Sequence, residues 1–107
     1  MINVTFTKKK EDYIKITTTG HALFSKNGDD IVCAAVSALV INTINSIDKF
    51  TDCNLSVYMD QEDGVIDAEL DNPNSDSNLL MKSLVLGLEG IIKSYSDKYL
   101  QINIKEV

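Results

Sequence analysis

Residues 20–37 read G-H-A-L-F-S-K-N-G-D-D-I-V-C-A-A-V-S, and this stretch marks where an opening strand gives way to a helix. It holds the one histidine of the chain, His21, and one of its two cysteines, Cys33. Gly28 closes a short polar loop, and Asp29 and Asp30 then precede a long apolar run, the pattern of a helix N-terminus. Cys33 is expected in the first helical turn, at the positive end of the helix dipole, which favours thiolate over thiol. A histidine on the strand end before the loop can fold back toward that sulfur as its proton acceptor. The plain alternative is inert packing, because a lone cysteine in an apolar helix commonly serves as a small hydrophobe. Both residue types meeting across one glycine-containing loop at a helix start is what favours a cysteine nucleophile with a histidine base.

Working outward, Ile2, Val4 and Phe6 alternate with polar residues, the period of a half-buried strand. A turn over Lys8–Asp12 returns the chain into Tyr13–Thr19, where Ile14 and Ile16 share a face and threonines supply β-branched stiffness. The second strand thus delivers His21 to its end. From Ile31 to about Phe50 the pattern is helical, with Val32, Ala35, Leu39, Ile41, Ile44 and Ile47 apolar and Asn42, Asn45 and Asp48 polar. Its early part is apolar nearly all round, so a second covered surface is expected. Ser37 falls four residues after Cys33 and so on the same face, one turn deeper.

Leu55, Val57 and Met59 alternate, Gln61–Gly64 turns, and Val65–Leu70 answers as a partner strand. Asp67 and Glu69 read as a solvated carboxylate face with no pairing partner indicated. Asn72-Pro73-Asn74-Ser75 reads as a turn and helix cap, leading into a second amphipathic helix on Leu80, Leu84, Leu88 and Ile91. Gly87 and Gly90 weaken that helix, and close approach to another backbone is the expected reason. Leu100, Ile102 and Ile104 alternate as a last strand. The order strand, strand, helix, strand, strand, helix, strand predicts an α+β fold, two helices packed on one mixed or antiparallel sheet. No linker or repeat divides residues 1–107, so one domain is expected.

Composition narrows the function. Sixteen acidic against ten basic residues give a net charge of −6, so direct nucleic-acid binding is not expected, while basic protein partners are favoured. The mean hydropathy of −0.04 and a hydrophobic fraction of 44% describe a folded chain. No unbroken apolar run reaches a membrane span and the N-terminus lacks a leader pattern, so a cytoplasmic protein without membrane contact is expected. One histidine, and two cysteines without C-x-x-C spacing, predict no metal site, no cofactor and no disulfide. Cys53, in the polar T-D-C-N loop, is given no function.

The stretch resembles the ribosomal-processing cysteine protease (Prp) family, whose pattern is G-H-A, a short variable loop, G-x-D, then [IV]-V-C-A and a hydroxyl residue. Gly20-His21-Ala22, Gly28, Asp30, Ile31-Val32-Cys33-Ala34 and Ser37 match it, and Ser25 stands where members often carry a second glycine. The resemblance implies an endopeptidase in which Cys33 attacks a peptide carbonyl and His21 takes and returns the proton. Asp30 and Ser37 support the site, with backbone N–H groups around Cys33 and Ala34 facing the oxyanion and residues 22–29 acting as a lid. It implies as substrate the N-terminal extension of a large-subunit ribosomal protein, removed before ribosome assembly, with cleavage after an aromatic residue, and it implies a homodimer through the helices. Two rivals stand beside it. One is a non-catalytic ribosome-assembly or peptide-binding module that uses the 20–33 loop as a clamp. The other is a thiol redox or acyl-transfer protein, with Cys53 close in space as a partner for Cys33.

Overall fold

The computed structural model describes residues 1–20, 29–95 and 97–107, the side chains of Asp29 and Asp30 excepted. The elements are β1 (Ile2–Lys9), β2 (Asp12–Thr19), α1 (Asp29–Phe50), β3 (Asn54–Asp60), β4 (Val65–Asp71), α2 (Ser75–Tyr95) and β5 (Leu100–Glu106). Their order is the one the sequence predicts. Among the described residues the strands form one sheet in the order β3-β4-β2-β1-β5. Every pairing is antiparallel except β1 with β5, which is parallel, so the sheet is mixed.

The register decides which face is buried. Val4 lies opposite Thr18 and Phe6 opposite Ile16, and across the next pairing Ile16 meets Ala68 and Thr18 meets Ile66. All six are buried, whereas the alternate residues Thr5, Thr7, Thr17 and Thr19 are only half-buried. One face is therefore the core and the other a threonine-rich outer surface, the usual division of an antiparallel sheet covered on one side. On that outer face Asp67 accepts a hydrogen bond from the Thr17 hydroxyl at 2.7 Å, and Lys15 Nζ stands 3.8 Å from its other oxygen. Asp67 thus has the partners that the alternation alone did not indicate, while Glu69 is exposed.

A register shift in β1–β2 makes Tyr13, not Ile14, the partner of Lys8. The extra residue is a bulge, which re-aims side chains on its strand. Tyr13 is buried edge-on to Phe6, with ring centroids 5.8 Å apart. The Tyr13 amide donates instead to Asn78 Oδ1 at 3.0 Å, and Asn78 Nδ2 donates to Asp12 Oδ1 at 2.9 Å. One α2 side chain thereby holds the base of the first hairpin. The start of α2 is capped reciprocally: Ser77 N–H donates to Asn74 Oδ1 and Asn74 N–H donates to Ser77 Oγ, both at 2.9 Å.

Both helices cover the same face. Val32, Val36, Val40 and Ile47 of α1, with Met81, Leu84 and Leu88 of α2, join the strand residues in one apolar cluster. The stretch Ile31–Phe50 averages a hydropathy of 1.6 over its best 18-residue window, apolar and long enough to cross a membrane by length and composition. That differs from the expectation drawn from unbroken apolar runs, because Asn42, Thr43 and Asn45 interrupt the run without lowering its mean far enough. Here the apolar stripe is used against the sheet. A Cβ on Gly87 would come to 3.0 Å from Leu39 Cδ1, so that glycine lets α2 approach α1, although it meets a side chain, not backbone. Gly90 faces open space, and no packing requirement among the described residues accounts for it.

Two outcomes follow for stability. The Thr18 hydroxyl is fully buried with no hydrogen-bond partner among the described residues, so Thr18→Val, which keeps the shape, is expected to gain about 1 kcal/mol in chemical denaturation. Gly20, at the end of β2, has φ +74° and a Cβ there would overlap the carbonyl oxygen of Met1. Gly20→Ala is expected to cost about 2 kcal/mol or more in the same measurement.

Candidate active site

Of the residues singled out from sequence, His21 and Gly28 lie outside the described residues, as does the expected lid over 22–29 apart from the backbone of Asp29. The side chain of Asp30 is likewise outside them. Gly20, Cys33, Ala34 and Ser37 are described. Gly20 closes β2 in the left-handed region beside the carbonyl of Met1. The chain that leaves toward His21 therefore departs from a backbone crossing that only a glycine fits.

α1 begins at Asp29, which makes Cys33 its fifth residue and sets it at the start of the second turn, not in the first. Side chains on a helix lean toward its N-terminus, so the thiol still points back toward the helix start. The shift changes the oxyanion expectation. The first four N–H groups of a helix, counted from its cap residue, lack intrahelical acceptors, and among the described residues those are the amides of residues 29–31. The amides of Cys33 and Ala34 fall within the hydrogen-bonded part of α1, so they are not the donors available at its start. Cys33 is 7% exposed and sits against Val32 and Val36 in the core cluster, while Ala34 is exposed.

One turn beyond Cys33, half-buried Ser37 lines a pocket of about 110 Å³. Its other walls are Ile41 of α1, Met59 and Asp60 at the end of β3, Gln61 and Gly64 of the turn, and Val65 and Ile66 of β4. The turn is built locally. Asp60 Oδ1 accepts the N–H groups of Glu62 and Asp63 at 3.0 and 3.2 Å, and Gly64 supplies φ +65°. The Asp63 amide foremost, opposed next by partial desolvation and then seconded by the Glu62 amide and the Tyr58 hydroxyl, holds the Asp60 carboxyl below its ordinary value. The Asp60 charge in turn raises the Tyr58 phenol. This pocket was beyond sequence reasoning. Its walls come from three elements, and the alternation that exposes Met59 as a strand residue says nothing of the helix it faces.

Cys53 is a different thiol. It is buried, its thiol donates to the Asp71 carbonyl at 3.2 Å, and its backbone N–H donates to Thr51 Oγ1 at 3.1 Å. Burial first, and the Asp71 charge second, push its pKa up, the opposite of what a nucleophile needs. It follows the far end of α1. A rise of about 1.5 Å per residue puts Phe50 about 25 Å along the axis from Cys33. The two sulfurs are therefore not neighbours, and a redox pair between them is removed from the candidates.

Comparison with known proteins bears on the whole chain. The family model described as Cysteine protease Prp matches residues 1–101. The chain is 32% identical over 81 residues to the ribosomal processing cysteine protease Prp of Mycoplasma pneumoniae, covering 76% of this chain and 78% of that one. The crystal structure of SMU.848 from Streptococcus mutans superposes with a TM-score of 0.87 at 31% identity, covering 100% of this chain and 99% of that one. An essential ribosomal processing protease Prp from S. aureus, crystallised in complex with a substrate peptide, superposes at a TM-score of 0.88 with 26% identity, covering 98% and 100%. With the family model running from the first strand into the last, the chain belongs to the Cysteine protease Prp family and is a cysteine protease.

Proposed function

We propose that this chain, acting as one domain over residues 1–107, is the endopeptidase that trims the N-terminal extension of a large-subunit ribosomal protein precursor in the cytoplasm. The reading rests on Cys33 set one turn ahead of an apolar pocket. The whole-chain likeness to a ribosomal processing protease crystallised with a substrate peptide agrees with it. In this mechanism the Cys33 thiolate attacks the scissile carbonyl carbon, and the thiol proton passes to the His21 imidazole. The amides of residues 29–31 face the developing oxyanion from the helix start. The tetrahedral adduct then collapses, the C–N bond breaks, and His21 returns the proton to the leaving amine. Water, deprotonated by the same imidazole, hydrolyses the Cys33 thioester and restores the thiol. Asp30, Gly28 and Gly20 support the loop that carries His21, and Ser37 supports the wall beside the thiol. Because Cys33 is 7% exposed, the surrounding chain has to make room before a peptide carbonyl reaches Sγ.

A cysteine-based endopeptidase of this design loses cleavage in Cys33→Ser while keeping its thermal unfolding profile. Cys53→Ala is expected to cleave within about twofold of wild type, since that thiol serves packing and its loss touches only stability. Incubation with the precursor's N-terminal peptide, followed by mass spectrometry, reads both. Full activity of Cys33→Ser would overturn the assignment, and an intact peptide with wild-type protein would leave the peptide-clamp alternative in its place.

The homodimer through the helices belongs to the same proposal. Ile31, at 56% exposure, lies on the outer side of α1, where Ala34 and Ala38 are also exposed, and Leu79 and Leu86 stand out from α2 at 66% and 70%. Apolar residues repeated on one outward helix layer favour a second copy as their cover. Sedimentation is expected to show a dimer for wild type at micromolar concentration and a shift toward monomer for Leu86→Lys. A wild-type monomer there would sink the dimer.

A further inference from the structure

Among the described residues three serine or threonine side chains are buried, and two of them are accounted for. The Thr43 hydroxyl donates to the Leu39 carbonyl at 2.7 Å, and the Ser77 hydroxyl donates to the Asn74 carbonyl at 3.0 Å. Thr18 differs: it is 0% exposed, and its Oγ1 has no hydrogen-bond partner among the described residues. A hydroxyl buried in that way costs stability, and such a group calls for a reason outside the resting fold. Register shows where it lies. On the core side of the sheet Met59 is opposite Ile66, Ile66 opposite Thr18, and Thr18 opposite Val4. Met59 and Ile66 share a pocket with Ser37 and Ile41 of α1, so this row runs beneath the Ser37 turn. Thr18 is one strand spacing from Ile66, about 4.8 Å, and two residues before Gly20, where β2 gives way to the stretch leading into α1. Cys33 is one helical pitch of about 5.4 Å from Ser37, toward the helix start, and belongs to the same buried cluster as Val4 and Ile66. The unpartnered hydroxyl and the buried thiol thus share one corner of the core, one on the sheet and the other on the helix above it.

We propose that Thr18 belongs to the reacting centre: its hydroxyl donates a hydrogen bond to Cys33 Sγ when the sulfur carries its charge. The proposal rests on the peptidase reading above. The thiol proton still leaves to His21, and the Thr18 proton stays on its own oxygen, so the contact adds a donor and transfers nothing. Its physical basis is desolvation. Cys33 is 7% exposed and sits against Val32 and Val36, and a charge held among such side chains gains from any donor that replaces lost water. The sheet presents Val4, Ile16, Ile66 and Ala68 to this side and α2 presents Leu88 and Ile91, none of which can donate from a side chain. Thr18 is the hydroxyl in that lining. The titratable groups that the motif adds near the thiol are His21 and Asp30, and substitution of Thr18 leaves both in place. The stability that Thr18→Val gains is then the counterpart of a loss in reactivity, the exchange made where a destabilising group serves a site.

The test compares Thr18, Thr18→Val and Thr18→Ser in full-length Cys53→Ala protein, so that Cys33 is the one thiol. Alkylation by iodoacetamide near pH 7, followed by mass spectrometry, is expected to slow about tenfold in Thr18→Val, the size of effect that a lost hydrogen bond to a charged group produces. Thr18→Ser, which keeps the hydroxyl and loses the methyl, is expected to stay within about threefold of the parent. The Thr18→Val deficit is expected to narrow near pH 9.5, where ordinary thiols are ionised. Cleavage of the precursor's N-terminal peptide is expected to fall about tenfold in kcat with KM little changed in Thr18→Val, and to return in Thr18→Ser. Because Thr18→Val is expected to unfold at higher denaturant than the parent, the loss cannot be put down to unfolding. Parental alkylation rates in Thr18→Val would overturn the proposal. So would a Thr18→Ser protein as slow as Thr18→Val, or a deficit undiminished near pH 9.5, since either would make Thr18 a matter of packing and access alone. The expected alkylation pattern in a protein that does not cleave the peptide even with Thr18 present would uphold the contact and remove the peptidase reading instead.

Discussion

Burial on a single face of the sheet is the constraint from which the rest follows. Val4, Phe6, Ile16 and Thr18 are covered to within 1% of completely, while their neighbours along the same strands face outward as threonine and lysine. Two helices must then share one side, and they can do so only if they approach closely. Gly87 meets that need against Leu39. α1, pressed onto the sheet by Val32, Val36 and Val40, has no freedom to rotate, and Cys33 is carried to its place by the residues around it. Position of the thiol thus follows the packing of the core around it.

The same constraint leaves one edge uncovered. Two helices of about 30 Å span the middle strands, but β3 lies at the margin, and its core-side residues Val57 and Met59 emerge into solvent. In most folds an apolar edge of this kind is a liability. Here it borders the helix that carries Cys33, and the acidic turn at its end keeps the margin charged.

Much of this was legible beforehand, for definable reasons. The alternation in Ile2–Phe6 and Leu100–Ile104 and the helical spacing of Val32 to Ile47 are local signals, and local signals gave the element order. The Asn74 cap and the Gly64 turn were legible for the same reason, each being a matter of a few consecutive residues. What stayed hidden depends on pairings far apart in the chain. The bulge that puts Tyr13 opposite Lys8 is stabilised by Asn78, sixty-five positions away. Asp67 finds Thr17 and Lys15 across a strand pairing. Gly90 read like Gly87 yet faces nothing, since a glycine's use lies in what approaches it. The pocket by Ser37 is of this kind too, assembled from α1, β3 and β4.

The parallel pairing of β1 with β5 bears on how the chain is made. On the side away from β2, residues 2–8 pair with residues 100–106, a contact of very long sequence separation, and such topologies fold slowly. During synthesis the first hairpin and α1 emerge long before the strand that completes the sheet. Through that interval the chain displays a helix apolar enough to pass for a membrane span, with part of its covering still inside the ribosome. Exposed surface of that kind attracts chaperones or neighbouring nascent chains. The protein's own birth, then, is the moment at which its most useful helix is most hazardous to it.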